Sequence, residues 1–182
     1  MREAVIVGMV RTAVGRMGGA IARYRPEELG AFVIRGIVDK TGIDPNLVED
    51  VVMGLSNSWH AAYNPARWAV LKAGLPYSLP GVTVERQCSS GLQTINHAPA
   101  QILAGIGDIY IAGGMESWSQ RPWMIPRPDE SYSFTPPADP APGDRPHAGR
   151  QLGHGDHRGD RGERRVKKME MKKKAMNFLV FI

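Results

Sequence analysis

Cysteine is nearly absent from this sequence: Cys88 is the only one in 182 residues. One thiol cannot close an internal disulfide, so the fold must rest on a packed core, and a reducing, cytoplasmic setting is the expectation. Long apolar runs are missing too. No stretch approaches the roughly 20 apolar residues that cross a bilayer, and the first residues lack the basic, apolar and small-residue succession of a secretory leader. A soluble chain with no membrane partner is expected. Histidine is sparse. His60 and His97 lie in the part that reads as folded, while His147, His154 and His157 lie near the far end. No metal site is expected.

Acidic residues are scarce only at one end. Residues 150–182 hold ten Lys and Arg against four Asp and Glu, a balance of +6; since the whole chain carries +5, residues 1–149 carry −1. The high pI therefore describes a basic tail on a near-neutral body, not a basic binding face. The tail run RGERRVKKMEMKKK has no interleaved aromatics, so no nucleic-acid partner is expected.

What is present is a rhythm. EAVIVG is a short apolar, β-branched run closed by Gly8 and reads as a buried strand. The loop RTAVGRMGGAIARY contains Gly15, Gly18 and Gly19 but not the ordered spacing of a dinucleotide fingerprint. RPEELGAFVIRGIVDKTG opens with Pro26 and two acids, carries Leu29, Phe32, Val33 and Ile37 at helical spacing, and stops at Gly42. A strand follows around Val51, Val52 and Met53. Asn64 then caps a helix through ARWAVLKA that Gly74 closes. VTVER reads as a strand, SSGLQTINHAPAQILAG as a helix that Pro99 kinks or shifts, and GDIYIAGGMES as another strand. Alternating strands and helices predict an α/β layer structure with a largely parallel sheet. Beyond Trp123, proline and glycine rise and periodicity vanishes.

Cys88 stands where a strand ends and a helix begins. Unpaired N–H groups at such a point favour an anion, and Ser89, Ser90 and Gly91 are small enough for a substrate to approach. The same N–H groups would steady a developing oxyanion, which suits acyl transfer through a thioester. The competing reading is a small buried residue, since free cysteines are among the most buried types. His97 does not decide the matter. Nine residues along one helix place it more than about 10 Å from Cys88, at roughly 1.5 Å per residue, so it reads as a surface or packing residue.

VTVERQCSSGLQ followed by IYIAGGMESWS resembles the active-cysteine segment and the downstream glycine-rich strand of the thiolases, the acyl-CoA C-acyltransferases. AVIVGMVRTAVG and NPARWAVLKAGLP are also similar to family segments, and the resemblance covers about residues 1 to 124. It implies that Cys88 is the acyl-thioester nucleophile in the cleavage of a 3-ketoacyl-CoA to acetyl-CoA and a shortened acyl-CoA. Coenzyme A is then a substrate, no cofactor is implied, and cofactor-binding residues stay unknown. CSSGLQ is closer to the 3-ketoacyl-CoA thiolases than to the acetoacetyl-forming branch, where CGSGL is usual. Glu85 departs from the family, which commonly has Asn there, and adds a negative charge beside the cysteine.

The implied fold is the thiolase-like N-terminal half, a layered αβα arrangement with a mostly parallel mixed sheet, incomplete. Residues 1–118 are expected to form its core, 119–136 the start of a loop region, and 137–182 an aberrant, basic, disordered tail. Family members form dimers or tetramers, so exposed apolar surface and aggregation are expected of this chain alone. The family's activating histidine, second cysteine and asparagine-supported water come from the later half of longer chains, and none has a counterpart here. A non-catalytic fragment is therefore the alternative. HGDHRGDRG, read one base out of step, permits Met-Gly-Ile-Thr-Ala-Glu-Ile-Val-Ala, which resembles the family's M-G-x-T-A-E-x-V-A segment. A frameshift between about Thr135 and His154 is the corresponding expectation.

Overall fold

The computed structural model describes residues 2–56 and 63–121 and the backbone of 177–181, and among these its regular structure is three α-helices, two short 3-10 helices and five parallel strands. In chain order the α-helices and strands are β1 (Ala4–Met9), α1 (Pro26–Thr41), β2 (Asp50–Gly54), α2 (Pro65–Lys72), β3 (Gly81–Val84), α3 (Ser90–Leu103), β4 (Ile109–Gly114) and β5 (Asn177–Phe181). The strands form one sheet in the order β1-β5-β4-β2-β3. Every pairing is parallel, with Val51 opposite Gly81 of β3 and Ile111 of β4. Residues 1–122 and 173–182 make one unit; the other, Trp123–Lys172, lies outside the described residues. No helix among the described residues is long and apolar enough to cross a membrane.

The helices begin and end where local chemistry dictates. Pro26 sits at the start of α1 with Glu27 and Glu28 behind it, and Gly42 ends it at φ 67°, a left-handed conformation that glycine adopts without strain. Asn64 caps α2 by accepting from the Arg67 N–H at 3.3 Å. Pro99 lies inside α3, which runs unbroken from Ser90 to Leu103. The helix continues through Pro99 with its start unshifted, because the proline ring displaces one hydrogen bond of a helix whose buried residues Thr94, Ala98 and Ile102 hold it to the sheet.

Two cores flank the sheet. Ile34, Ile37, Val51, Met53, Ala69, Val70 and Ile111 cluster on the side of α1 and α2. Val52, Ala98, Ile102, Tyr110 and Ala112 cluster on the side of α3. Adjacent residues of β2 and β4 thus feed opposite cores, the pattern of a parallel strand covered on both faces. Phe32, at helical spacing with Leu29 and Val33, is 54% exposed and meets Tyr24 edge to face at 5.3 Å, while Ile34 and Val38 take the buried stripe. One expectation needs correction. β1 is an edge strand with Ile6 59% exposed, not a buried one.

The tail also departs from expectation. Residues 137–182 read as disordered, yet Asn177–Phe181 form β5 inside the sheet, between β1 and β4. A short apolar run behind lysines looks like a stray end, because strand formation depends on neighbours that sequence does not show. The remainder of that tail, the loop region from Pro122 on, and the HGDHRGDRG stretch lie outside the described residues.

Candidate active site

The carboxyl ends of β2, β3 and β4 converge with the start of α3, and Cys88 stands in the turn between β3 and α3. In parallel α/β sheets ligands bind at this end of the strands. Cys88 is exposed, which removes the buried-packing reading. It borders a cavity of about 380 Å³ whose walls include Ser56, Gln87, Ser90, Gly114 and Glu116.

The turn is tightly built. Gln87 has φ 49°, a left-handed conformation uncommon outside glycine. Ser90, 3% exposed, holds it in place: its hydroxyl donates to the Gln87 carbonyl at 2.7 Å and accepts from the Arg86 N–H at 2.8 Å. Ser89 N–H and Ser90 N–H donate to the carbonyls of Arg86 and Gln87, each at 3.1 Å. Unpaired amides at this point were expected to steady an oxyanion, and these two are not unpaired. They are spent on the turn instead, because a left-handed residue before the helix folds the chain back onto its own first amides. Gln87 also donates to Glu85 at 3.3 Å, and Arg86 bonds Gln93 on α3.

Glycines let α3 press onto the strand ends. A Cβ on Gly54 would lie 2.4 Å from the Ser90 carbonyl carbon and 2.5 Å from the Gly91 nitrogen. One on Gly114 would meet the Gly54 oxygen and the Gly91 Cα at 3.4 Å. Thr94, fully buried, bonds the Gly91 carbonyl at 2.7 Å and the Gly113 carbonyl at 2.8 Å. On the far side Asn64 donates to the Gly81 carbonyl at 2.7 Å and accepts from the Thr83 hydroxyl at 2.8 Å, tying α2 to β3.

Glu116, just after β4, is the residue that sequence reasoning missed. Its Oε2 accepts from the Ser56 N–H at 3.0 Å and from the Ser56 hydroxyl, and its Oε1 is buried without a hydrogen-bond partner among the described residues. The GGMES motif contained it, and a carboxylate directly after a buried parallel strand is a position worth marking. His97 contacts Gln101 at 2.9 Å and is not on the cavity wall. His60, His147, His154 and His157 lie outside the described residues. Among the described residues no group of three His, Cys, Asp or Glu could hold a metal ion.

This arrangement offers an accessible sulfur, close backbone approach and a carboxylate on the same cavity wall, which suits capture of an acyl group. Comparisons with known proteins point the same way. The family model described as "Thiolase, N-terminal domain" matches residues 4–136. A steroid 3-ketoacyl-CoA thiolase of Mycobacterium tuberculosis is 43% identical over 141 residues, which are 76% of this chain and 35% of that protein. An acetyl-CoA acetyltransferase of Chromobacterium violaceum is 44% identical over 124 residues, 68% of this chain and 32% of that one. The crystal structure of the Bacillus anthracis acetyl-CoA acetyltransferase matches with a TM-score of 0.65 at 37% identity, covering 68% of this chain and 31% of that one. The chain spans about a third of the length of the curated relatives it matches.

Proposed function

Because the chain belongs to the thiolase family, we propose that Cys88 is the acyl-accepting nucleophile of a thiolytic acyltransferase acting on 3-ketoacyl-CoA. The thiolate sulfur adds to the C3 carbonyl carbon and the C2–C3 bond breaks. Its electron pair leaves on C2, which takes up a proton to become acetyl-CoA, and the shortened acyl group remains on Cys88 as a thioester. The thiolate of a second coenzyme A adds to that thioester carbonyl and expels the Cys88 thiolate. The observation that carries this reading is an exposed cysteine on a cavity wall at the carboxyl ends of three parallel strands.

Two proton transfers complete the cycle: one from the attacking thiol, one to the acetyl-CoA carbanion. Besides Cys88, the cavity wall holds one ionisable group among the described residues, Glu116. The resemblance assigns these transfers to a histidine and a second cysteine, and this sequence holds a single cysteine. That fact favours a second reading, in which the chain accepts an acyl group and does not turn over. Coenzyme A enters as a substrate with no separate cofactor, the setting is cytoplasmic, and the assembly is a homodimer or tetramer. The CSSGLQ sequence favours the degradative direction.

Intact mass after incubation with acetyl-CoA tests both readings. One added acetyl group, mapped to Cys88 and absent from Cys88→Ser, is the expected result. An adduct without thiolysis of acetoacetyl-CoA selects the second reading. No adduct on Cys88 removes both.

A further inference from the structure

The Cys88 cavity does not end at Glu116. A second cavity of about 210 Å³ shares Gly114, Met115 and Glu116 with it, and a third of about 310 Å³ shares Thr12, Val14, Leu29 and Glu116 with the second. The three follow one another along the carboxyl edge of the sheet, from the turn after β3, past the end of β4, to the loop after β1. The Cys88 cavity is the most open to solvent of the three, which suits entry of a coenzyme A arm at that end.

The other two cavities have apolar walls. Leu29, Val33 and Met115 line the second, and Val14, Met17, Ile21 and Trp118 line the third. Val14, Met17 and Trp118 are each more than half exposed, and apolar surface gathered in one groove marks a place for an apolar ligand. Arg11 and Arg16 also border these cavities, and both are exposed. Glu116 does not interrupt the lining: Oε2 is taken by Ser56 and Oε1 is buried, so the cavities meet its hydrocarbon stem. The third cavity is also pre-formed. Gly18 N–H donates to Ser119 Oγ at 3.0 Å, the Ser117 hydroxyl to the Tyr24 carbonyl at 2.8 Å and Gln120 to the Ala22 carbonyl at 2.7 Å, fastening the loop after β1 to the segment after β4.

The distances suit a chain of middling length. Cys88 follows β3 and Glu116 follows β4, two strand spacings of about 4.8 Å away, or roughly 10 Å. An extended chain gains about 1.2 Å per bond, so about eight carbons end near Glu116 and about twelve pass beyond it toward Leu29 and Val14. We propose that the second and third cavities hold the acyl chain carried on Cys88, and that this site takes 3-ketoacyl-CoA thioesters with an unbranched apolar chain of about twelve carbons. Leu29, on the wall common to both cavities, sets the chain length admitted. The proposal rests on Cys88 being the acyl-accepting nucleophile.

Acyl transfer from dodecanoyl-CoA and acetyl-CoA to the full chain, followed by intact mass, tests it. The Cys88 thiolate displaces the coenzyme A thiolate, which takes up the proton that Cys88 lost. Dodecanoyl transfer at least about tenfold faster than acetyl transfer is expected, because each buried methylene adds to binding. Leu29→Trp fills the passage between the second and third cavities, and the dodecanoyl-to-acetyl rate ratio should fall at least about tenfold. Val14→Asp, at an exposed loop position, should lower it by a similar factor of about ten. Ile106→Asp, exposed and bordering none of the three cavities, should leave the ratio unchanged. Equal rates for the two thioesters, the result if the coenzyme A arm fills the groove instead, overturn the proposal, as does a ratio unmoved by Val14→Asp or lowered as much by Ile106→Asp. Acetyl transfer to Cys88 survives each of these outcomes, and the thiolytic reading with it. No adduct from either thioester overturns both. Should Leu29→Trp fail to fold, Val14→Asp decides.

Discussion

Replacing Gly54 by alanine should damage both stability and the Cys88 turn. The new Cβ would lie 2.4 Å from the Ser90 carbonyl carbon, 2.5 Å from the Gly91 nitrogen and 2.7 Å from the Ser90 oxygen, where ordinary contact begins at 3.4 Å. The deficit is 1.0 Å, and all three obstacles are backbone, so no side-chain rotation relieves it. The start of α3 must move by about that much. Overpacking of this kind costs about 1–3 kcal/mol, while the lower chain entropy of alanine returns about 0.4–1 kcal/mol, so destabilisation wins. A displacement near 1 Å at a reacting group can cost about 10²-fold in rate. Urea denaturation should therefore show a lower midpoint, and acetylation of Cys88 by acetyl-CoA should slow by about that factor. Gly36→Ala is the control: nothing lies within 4 Å of its Cβ, and it sits inside α1. It should stabilise by about 0.5–1 kcal/mol with no change at Cys88. A Gly54→Ala protein with an unaltered midpoint and an unaltered acetylation rate would refute the close-approach argument.

Two other perturbations have definite signs. Thr94→Val keeps the shape of a fully buried side chain but leaves the Gly91 and Gly113 carbonyls without their hydroxyl donor. A loss of about 1–3 kcal/mol in chemical denaturation is expected, and no loss would show that the bond does not hold α3 to β4. Burial raises the Asp50 carboxyl above its ordinary value, against the smaller opposing pulls of the Val51 N–H and of His97. The folded state then holds this proton more tightly than the unfolded state. Stability from this group is present below the ordinary aspartate range and declines as pH rises through the raised folded value. Asp50→Asn should flatten that part of the stability–pH curve, and an unchanged slope across the acidic range would count against the assignment.

The sequence disclosed most of what lies between β2 and β4, since there the local and tertiary requirements agree. Asn64-Pro65 caps, Gly42 stops, and β-branched runs at Val51 and Val82 sit where their neighbours need them. The exposure of Phe32 was not legible for a physical reason: at one residue from Val33 it shares a helical pattern with the core, and only the docking of α1 on α2 decides which side faces in. β5 was missed for a deeper one. A five-residue run with four apolar members carries no periodicity that distinguishes a strand from a frayed end. Their structure comes from pairing with β1 and β4, far away in the chain.

The same distinction explains the site. The placement of Cys88 was legible because a strand-to-helix turn is marked by its own neighbours: small residues after it, a strand before it. The pairing of the Ser89 and Ser90 amides was not legible, because it depends on one dihedral angle, at Gln87, that folds the turn back onto itself. Glu116 was missed because its meaning depends on Ser56, sixty residues earlier, which takes one carboxylate oxygen and leaves the other buried and unpartnered among the described residues. A nucleophile can be written into a single loop, whereas the groups that move its proton must be brought from several strands. A sequence motif therefore identifies the sulfur well before it identifies a working acyltransferase.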